Sequence, residues 1–297
     1  MKIRIAARPS KLSLIQVDIL VRELEDKIGP IEYEIMKIKS HGDIHRTSSF
    51  EKIGVKGIFE KNVNKVILEG KADIAVHSLK DLPSTLDPRL TIPYVTNRGD
   101  PRDALVTSID NPINRIGEIP PGTVIGTSSA RRKSLLLHYN PGLTIKSIRG
   151  NIDTRLSKLG AGYDYIVTSA AALDRIEYNY PFIRLPLRDF PPSPGQGFIA
   201  VTSLKSNPIT KMLRELVDPS QYIIAIAERE FLRELGGGCN LPTGGHCYFE
   251  HNRSTCFGVI LSHDGSVLSY AEVSGDRSSI VSVAAKTAKI LKEGWRF

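Results

Sequence analysis

The sequence predicts an α/β protein of two lobes, followed by a small α+β unit at its carboxyl end. Short apolar runs alternate with segments of helical periodicity up to about residue 217. Polar and basic residues stand where the predicted strands end. From about Asp218 the pattern changes to a helix, a glycine-rich loop, two strands around a hairpin turn signal and a last helix. A chain of 297 residues is also too long for one ordinary core.

Composition favours a globular protein that binds small acidic ligands. Hydrophobic residues make up 41% and charged residues 24%, which is ordinary for such proteins. The formal net charge of +8 implies acidic partners, and arginines scattered at loop starts among only 7% aromatics favour discrete anionic groups over nucleic acid. No apolar run approaches a membrane span, and the amino end enters a strand directly. A cytoplasmic location with no membrane partner is therefore expected.

The cysteines are three in number, Cys239, Cys247 and Cys256, and they lack paired Cys-x-x-Cys spacing. This pattern argues against both a disulfide framework and a metal site of the zinc type. Cys247 and Cys256 are interpreted as packing residues. Cys239 stands in the glycine-rich loop 236–245, where its thiol could be a nucleophile or carry a covalent adduct, although a lone cysteine is usually inert packing.

The first predicted strand, residues 2–6, is followed by a turn that contains Arg8. Ser10 is a candidate N-cap for the next helix. Arg8 therefore lies between a strand end and a helix start, where exposed backbone N–H groups favour an anion. A second strand is predicted over residues 33–39, and the polar segment 40–51 leads to Lys52, Lys56 and Phe59 before the next helix.

The most informative stretch of the first lobe is DIAVHSLKDLP at residues 73–83. An apolar strand over 74–76 ends abruptly in Ser78, Lys80 and Asp81. In open α/β sheets, ligands collect at the carboxyl ends of strands. Lys80 can hold an anion, while Asp81 can stabilise a cation or move a proton. A solvated loop is the alternative interpretation for such a pair taken alone.

In the second lobe, predicted strands 104–107 and 123–126 lead to the segment GTSSARR at 126–132. Thr127 and Ser129 can cap a helix, and Arg131 and Arg132 lie in its first turn. Positive side chains at a helix N-terminus oppose the helix dipole. Two interpretations stay open: an anion bound between the arginines, or a frayed helix end with solvated arginines.

Two further predicted strands, 145–148 and 165–168, repeat this arrangement. The residues that follow them are Arg149 and Gly150 with Arg155, and Ser169 with Arg175. A rigid turn over 191–197, which contains Gln196, returns the chain to a strand over 198–202. These strand ends predict a cleft between the lobes, lined with cations, for a ligand that bears several carboxylates or phosphates.

The chain resembles the porphobilinogen deaminase family along nearly its whole length. The matching segments occur in the family's order and include KGIF at 56–59, DIAVHSLKDLP at 73–83, GTSSARR at 126–132, RGN at 149–151, PGQG at 194–197, AER at 227–229 and GGC at 237–239, together with Arg8 and Ser10. The resemblance implies two lobes like type II periplasmic binding proteins, with doubly wound mixed sheets, plus the small α+β domain. It implies lobe 1 over 1–96 and 198–217, lobe 2 over 97–197, and the third domain over 218–297.

The resemblance also implies an activity. Enzymes of this family polymerise four porphobilinogen units head to tail with loss of ammonia, then release the linear tetrapyrrole hydroxymethylbilane by hydrolysis. The primer is a dipyrromethane cofactor, fixed by a thioether to the cysteine that corresponds to Cys239. A monomer with a small-molecule substrate and no nucleic-acid partner is expected.

Family roles carry over to the matching positions. Asp81 is the expected catalytic carboxylate, with Lys80 and Arg8 beside it. The expected cofactor-binding residues are Cys239 (covalent), Ser78, Lys80, Asp81, Thr127, Ser129, Arg131, Arg132, Arg149 and Gly150. The expected substrate-binding residues are Arg8, Arg149, Arg155, Arg175, Ser169, Gln196, Phe59, Lys52 and Lys56, and no metal is expected.

The chain departs from the family pattern at Pro9, at Ala172 and at Gly236, where members usually have a glutamate. None of these changes removes a charged group assigned to catalysis. Two alternative functions remain: a solute-binding protein that uses the same lobes without chemistry, and a basic nucleic-acid-binding protein. A covalent mass on Cys239 would exclude the first, and a flat salt dependence of any DNA affinity would exclude the second.

Overall fold

The computed structural model describes residues 2–38, 58–107, 115–236 and 241–295. The chain divides into two compact units, Met1–Gly99 with Phe198–Ile226, and Asp100–Gly197 with Ala227–Phe297. The separate third domain expected from residue 218 stays a prediction. Within the described ranges, no helix combines the length and apolar character needed to cross a membrane.

Thirteen strands and eight α-helices make up the described parts of the chain. The strands are β1 (Ile3–Ala7), β2 (Tyr33–Lys37), β3 (Ile74–Ser78), β4 (Leu90–Val95), β5 (Asp103–Thr107), β6 (Val124–Gly126), β7 (Thr144–Lys146), β8 (Tyr165–Ser169), β9 (Phe182–Arg184), β10 (Ile199–Leu204), β11 (Thr243–Glu250), β12 (Arg253–Leu261) and β13 (Leu268–Asp276). The helices are α1 (Lys11–Ile28), α2 (Ile58–Leu68), α3 (Ala130–Tyr139), α4 (Ile152–Leu156), α5 (Ala170–Arg175), α6 (Ile209–Leu216), α7 (Pro219–Glu234) and α8 (Ile280–Gly294).

The first unit is built on a five-stranded mixed sheet in the order β2-β1-β3-β10-β4. Strand β1 is parallel to β2 and β3, while β10 is antiparallel to both β3 and β4. Helix α1 begins after Ser10, whose side chain accepts a hydrogen bond from the Ser13 N–H, as expected for an N-cap. Its apolar stripe, which includes Val17 and Leu24, is buried against the sheet because these residues recur at helical spacing.

The second unit repeats this design in the order β7-β6-β8-β5-β9. Strand β6 is parallel to β7 and β8, and β5 is antiparallel to β8 and β9. In each sheet, three parallel strands are followed by one antiparallel strand and then a fifth strand. The prediction of two doubly wound mixed sheets is therefore confirmed.

A three-stranded antiparallel sheet, β11-β12-β13, completes the second unit and carries α8. The buried face of α8 consists of Ile280, Val283, Ala284, Thr287, Ala288 and Leu291. Val259 and Leu261 of β12 join the core beneath the five-stranded sheet. The α+β arrangement predicted for the carboxyl end of the chain is thus present, as part of the second unit.

Cys247 and Cys256 form a disulfide bond, so their interpretation as packing thiols was wrong. They face each other in the antiparallel register of β11 and β12, with Cα atoms 4.1 Å apart. The sequence prediction failed because it extended the glycine-rich loop to residue 245 and did not recognise β11, whose register makes these two residues partners.

Candidate active site

In the first unit, Arg8 and the segment after Ser78 leave the sheet at the same edge. The parallel pairing of β1 with β3 aligns Ile5 with Ile74 and Ala6 with Ala75. Because the carboxyl ends of parallel strands meet at one edge, this is the edge at which the sequence predicted a ligand.

Lys80 and Asp81 lie in a 3₁₀ turn, Leu79–Asp81, directly after β3. Leu79 and Leu82, on either side of them, are buried in one apolar cluster. The Leu79 N–H donates to the Phe198 carbonyl at 3.1 Å, and the Leu82 N–H donates to the Leu79 carbonyl at 3.1 Å. These contacts fix the turn, so that Lys80 is half-buried and Asp81 is exposed.

Ser78 and His77 precede this turn at the end of β3. The Ser78 hydroxyl oxygen accepts a hydrogen bond from Gln16 Nε2 at 2.8 Å, which fixes its rotamer. The His77 side chain is buried, with Nε2 at 3.1 Å from both Asn64 Oδ1 and Thr202 Oγ1. Burial lowers the pKa of His77 to about 3, so the imidazole is neutral at physiological pH.

In the second unit, the predicted site residues again share one sheet edge. Strands β6, β7 and β8 are parallel, and their carboxyl ends lead to Thr127, to Arg149 and to Ser169 respectively. Strand β5 runs the other way and pairs Asp103 with Ser169. The start of β5 therefore brings the Asp103 carboxylate to the edge where the other strands end.

Arg131 and Arg132 are buried, and both contact the Asp103 carboxylate. Arg132 donates to Asp103 Oδ1 from Nε at 3.0 Å and from Nη2 at 2.7 Å. Arg131 Nη2 lies 2.7 Å from Asp103 Oδ2. The two arginines are only 6% and 7% exposed, respectively. The alternative of solvated arginines is therefore wrong.

The start of α3 is also capped by side-chain hydroxyls. The Ser129 hydroxyl accepts from the Arg132 N–H at 3.4 Å, and the Thr127 hydroxyl accepts from the Ser129 N–H at 3.2 Å. Because two hydroxyls bind backbone donors in this turn, the helix end is ordered and the alternative of a frayed end is also wrong.

The arginine cluster, defined as Arg131, Asp103 and Arg132, carries a surplus positive charge. Burial alone would raise the pKa of Asp103, but the charges of Arg131 and Arg132 outweigh it and lower the pKa to about 2. Burial lowers the pKa of Arg131, and the Asp103 charge opposes that effect. One carboxylate thus faces two guanidinium groups. Among the described residues, Arg131 Nε is a buried donor with no hydrogen-bond acceptor.

Asp103 was not among the predicted site residues. It is the residue through which the predicted Gln196 contacts the arginine cluster. Gln196 is 1% exposed, and its Nε2 donates to Asp103 Oδ1 at 3.0 Å and to the Pro101 carbonyl at 2.8 Å. The sequence signal was a carboxylate at the start of an apolar strand. Its partners lie 28 and 29 residues further along the chain, and only the antiparallel setting of β5 reveals them.

Arg149, Gly150 and Arg155 lie around the start of α4. Arg155 Nε donates to the Gly150 carbonyl at 2.8 Å, and Asn151 caps the helix through the Thr154 N–H. Gly150 has φ +116°, and a Cβ at this position would lie 2.8 Å from Thr154 Cβ, so only glycine fits. Arg149 and Gly150 are exposed.

Ser169 and Arg175 flank α5. Ser169 is buried at its start, and Arg175 Nη2 donates to the Gly197 carbonyl at 2.6 Å. Lys52, Lys56 and Cys239 lie outside the described residues. Of Phe59, only the backbone, in α2, is described.

Family profiles match most of the chain. Residues 3–211 match "Porphobilinogen deaminase, dipyromethane cofactor binding domain", and residues 222–293 match "Porphobilinogen deaminase, C-terminal domain".

Individual relatives agree with these profiles. A "Probable porphobilinogen deaminase" from Ignicoccus hospitalis is 45% identical over 89% of this chain and 88% of its own. Another with the same description, from Hyperthermus butylicus, is 41% identical over 97% of this chain and 95% of its own. Among solved structures, the methionine binding protein MetQ covers 77% of this chain and 94% of its own, at 10% identity and a TM-score of 0.45. That structural likeness is too distant to support an assignment.

Proposed function

The chain belongs to the porphobilinogen deaminase family, and we propose that it is a transferase that joins four porphobilinogen units head to tail, expels ammonia at each step and releases hydroxymethylbilane by hydrolysis. The observation that carries this proposal is the buried arginine cluster, which has one positive charge in surplus at a helix N-terminus. Each pyrrole ring of the proposed substrate bears an acetate and a propionate. A growing chain of such rings needs cationic partners of this kind.

The cofactor implied by the family is dipyrromethane, joined through a thioether to Cys239. When bound, it supplies the pyrrole end that is extended. Its carboxylates fit the donors present, because Arg131 Nε is a buried N–H without an acceptor among the described residues and the cluster carries surplus positive charge. Ser78, Thr127 and Ser129 would add hydroxyl donors, and Lys80, Arg149 and the Gly150 amide would complete the cofactor-binding set.

Asp81 is the proposed catalytic carboxylate. The buried leucines on either side of it hold its turn in place while leaving the side chain exposed, as a group that meets substrate must be. A fixed carboxylate stabilises positive charge that develops on a pyrrole nitrogen and can accept or return a proton as ammonia leaves. Lys80 and Arg8, at the same sheet edge, would hold ring carboxylates near Asp81.

The remaining predicted residues are proposed to bind incoming substrate. Arginine suits this role because its planar fork meets a carboxylate with two hydrogen bonds. The set comprises Arg8, Arg149, Arg155, Arg175, Ser169, Gln196, Phe59, Lys52 and Lys56. For Gln196 the contact with Asp103 favours a supporting role through the arginine cluster. We further propose a cytoplasmic monomer.

The test is the intact mass of the purified protein and of Cys239→Ser. We expect a surplus equal to two linked pyrrole units in the natural chain, present on purification or after incubation with porphobilinogen, and none in the variant. The same samples should convert porphobilinogen into a linear tetrapyrrole only when the surplus is present. A natural chain that stays unmodified and binds porphobilinogen without turnover would instead identify a solute-binding protein.

A further inference from the structure

Glu228 is a buried carboxylate that the proposed chemistry does not use. It lies on α7 and is 1% exposed. Its Oε2 accepts from the Gly195 N–H at 2.5 Å, and its Oε1 accepts from the Cys247 N–H at 2.9 Å. His246 Nδ1 lies 3.2 Å from the same Oε1. Buried carboxylates are costly unless several donors satisfy them, and in this case two backbone amides and an imidazole do so.

These contacts join the two chain segments that flank Cys239. Helix α7 ends at Glu234, and β11 begins at Thr243. One side chain on the helix therefore binds the backbone of the strand across the sequence that contains the proposed attachment site. Any shift of α7 against β11 would stretch or break these hydrogen bonds.

The contact with Gly195 extends the connection to the arginine cluster. Gly195 belongs to the segment 191–197, and the next residue, Gln196, donates to Asp103. Arg131 Nη1 donates to the Pro191 carbonyl at 2.7 Å, and the Gly245 N–H donates to the Pro192 carbonyl at 2.8 Å. The segment 191–197 thus lies between β11 and the arginine cluster and is bonded to both.

The packing leaves little freedom in this connection. A Cβ on Gly244 of β11 would lie 2.5 Å from the Pro191 carbonyl oxygen, so strand and segment are in direct backbone contact. Glu228, Gln196 and Asp103 are each at most 1% exposed. The contacts form one buried chain that runs from α7 through segment 191–197 to the arginines.

We infer that Glu228 is a positioning residue that sets the segments flanking Cys239 in register with the arginine cluster. This inference rests on the proposed function. A cofactor held covalently at one end and by its carboxylates at the other requires those two points at a fixed separation. Misplacement of reacting groups by about 1 Å can cost on the order of a hundredfold in rate. Buried hydrogen bonds that fix the separation of these two points therefore matter for attachment of the cofactor.

The test compares Glu228→Gln with Glu230→Gln. Both changes replace a carboxylate by an amide on α7, but Glu230 pairs with Arg233 of the same helix rather than with β11 or segment 191–197. The rate at which the cofactor-free full-length chain gains the two-pyrrole mass is measured with porphobilinogen, well below each variant's melting temperature. An amide turns one of its donors toward a backbone N–H, so we expect Glu228→Gln to load at least about tenfold more slowly. Glu230→Gln should load like the natural chain.

Two further outcomes keep the inference open to refutation. A Glu228→Gln protein that is folded and loads at the natural rate overturns the inference. If Glu228 only stabilised the fold, the variant would have a lower melting temperature but an unchanged loading rate. Glu228→Asp keeps the charge on a shorter side chain, and we expect it to recover part of the loading rate. If the amide variant fails to fold, Glu228→Asp takes its place in the test, and loading of this variant at the natural rate overturns the inference. A natural chain that gains no mass overturns the proposed function itself.

Discussion

Asp103 is the residue on which the second unit's candidate site depends most. It is fully buried and compensates two guanidinium groups that would otherwise oppose each other and the dipole of α3. A buried pair adds little net stability by itself, but removing one partner leaves uncompensated charge behind. The consequences of losing this carboxylate are therefore large and specific.

We predict that Asp103→Asn lowers the free energy of unfolding by about 3–5 kcal/mol. The amide keeps the size of the side chain but removes the only charge that faces both arginines within the cluster. Denaturant unfolding followed by circular dichroism measures the loss. Asp174→Asn is the control, because Asp174 pairs with Arg184 at a partly exposed position and should cost no more than about 1 kcal/mol. Equal stability of the two variants would contradict the role given to Asp103.

For individual residues, the sequence predicted the type of chemistry better than it predicted which side chains contact each other. One of the two interpretations of Arg131 and Arg132 was that they need an anion, and part of that requirement is met by Asp103 of the same chain. Nothing local to either arginine indicates this. The partner comes from β5, and its place at the sheet edge follows from strand direction, which residue patterns do not encode.

Strand β3 positions the candidate site residues that follow it in the chain. Its apolar residues are buried between β1 and β10, and the chain emerges from it at Ser78 and the turn that carries Asp81. Inside the strand, neutral His77 contacts Asn64 and Thr202. Because the imidazole is buried without a carboxylate among these contacts, its protonation would disrupt the strand.

We predict that His77 makes the protein less stable as the pH falls from about 7 to 5, because its folded pKa of about 3 lies below the ordinary value of 6.5. The unfolded chain therefore binds a proton that the folded chain does not. The contribution is complete above pH 6.5 and is lost as the pH falls toward 3, at about 1.4 kcal/mol per pH unit within that window. Urea unfolding at several pH values measures the slope.

His77→Gln is the comparison for this slope, since glutamine stays neutral and can still bond Asn64 and Thr202. We expect the variant's stability to fall less steeply than that of the natural chain between pH 6.5, the ordinary histidine pKa, and about pH 5. The other histidines are common to both proteins and cancel in the difference. Parallel pH profiles for the two proteins would show that His77 does not stay neutral in the folded state.

The elements themselves were largely predictable where their pattern was local. The strands that lead to Ser78 and Thr127 followed from short apolar runs that end in polar residues, and the caps at Ser10 and Ser129 followed from residue type. Strand β11 was missed because the glycines and the proline nearby imitate a loop. Its backbone is instead stabilised by the Pro192 carbonyl and by Glu228, contacts that only the tertiary structure supplies.

On the scale of the whole molecule, the two five-stranded sheets share one strand order although no repeat is visible in the sequence. In each sheet a carboxylate lies at the edge where the three parallel strands end, Asp81 in the turn after β3 and Asp103 at the start of the antiparallel strand β5. Shared topology without shared sequence explains why the fold class was predictable from the alternation of elements while the arginine cluster was not.

The three cysteines give a prediction for the complete chain. Cys247 and Cys256 are bonded to each other, and Cys239 is the proposed attachment site. We therefore expect no thiol to react with iodoacetamide in the denatured, cofactor-loaded protein, and one to react in the cofactor-free protein. Prior reduction should add two reactive thiols in each case, because reductants cleave a disulfide but not a thioether.

Intact mass after alkylation counts these thiols directly. The double variant Cys247→Ser with Cys256→Ser is the control, since reduction should then change nothing while Cys239 behaves as in the natural chain. Two alkylated thiols in the unreduced, loaded protein would show that the pair is reduced in solution. One alkylated thiol in that same sample, located at Cys239, would instead refute attachment there, because a thioether leaves no thiol to react.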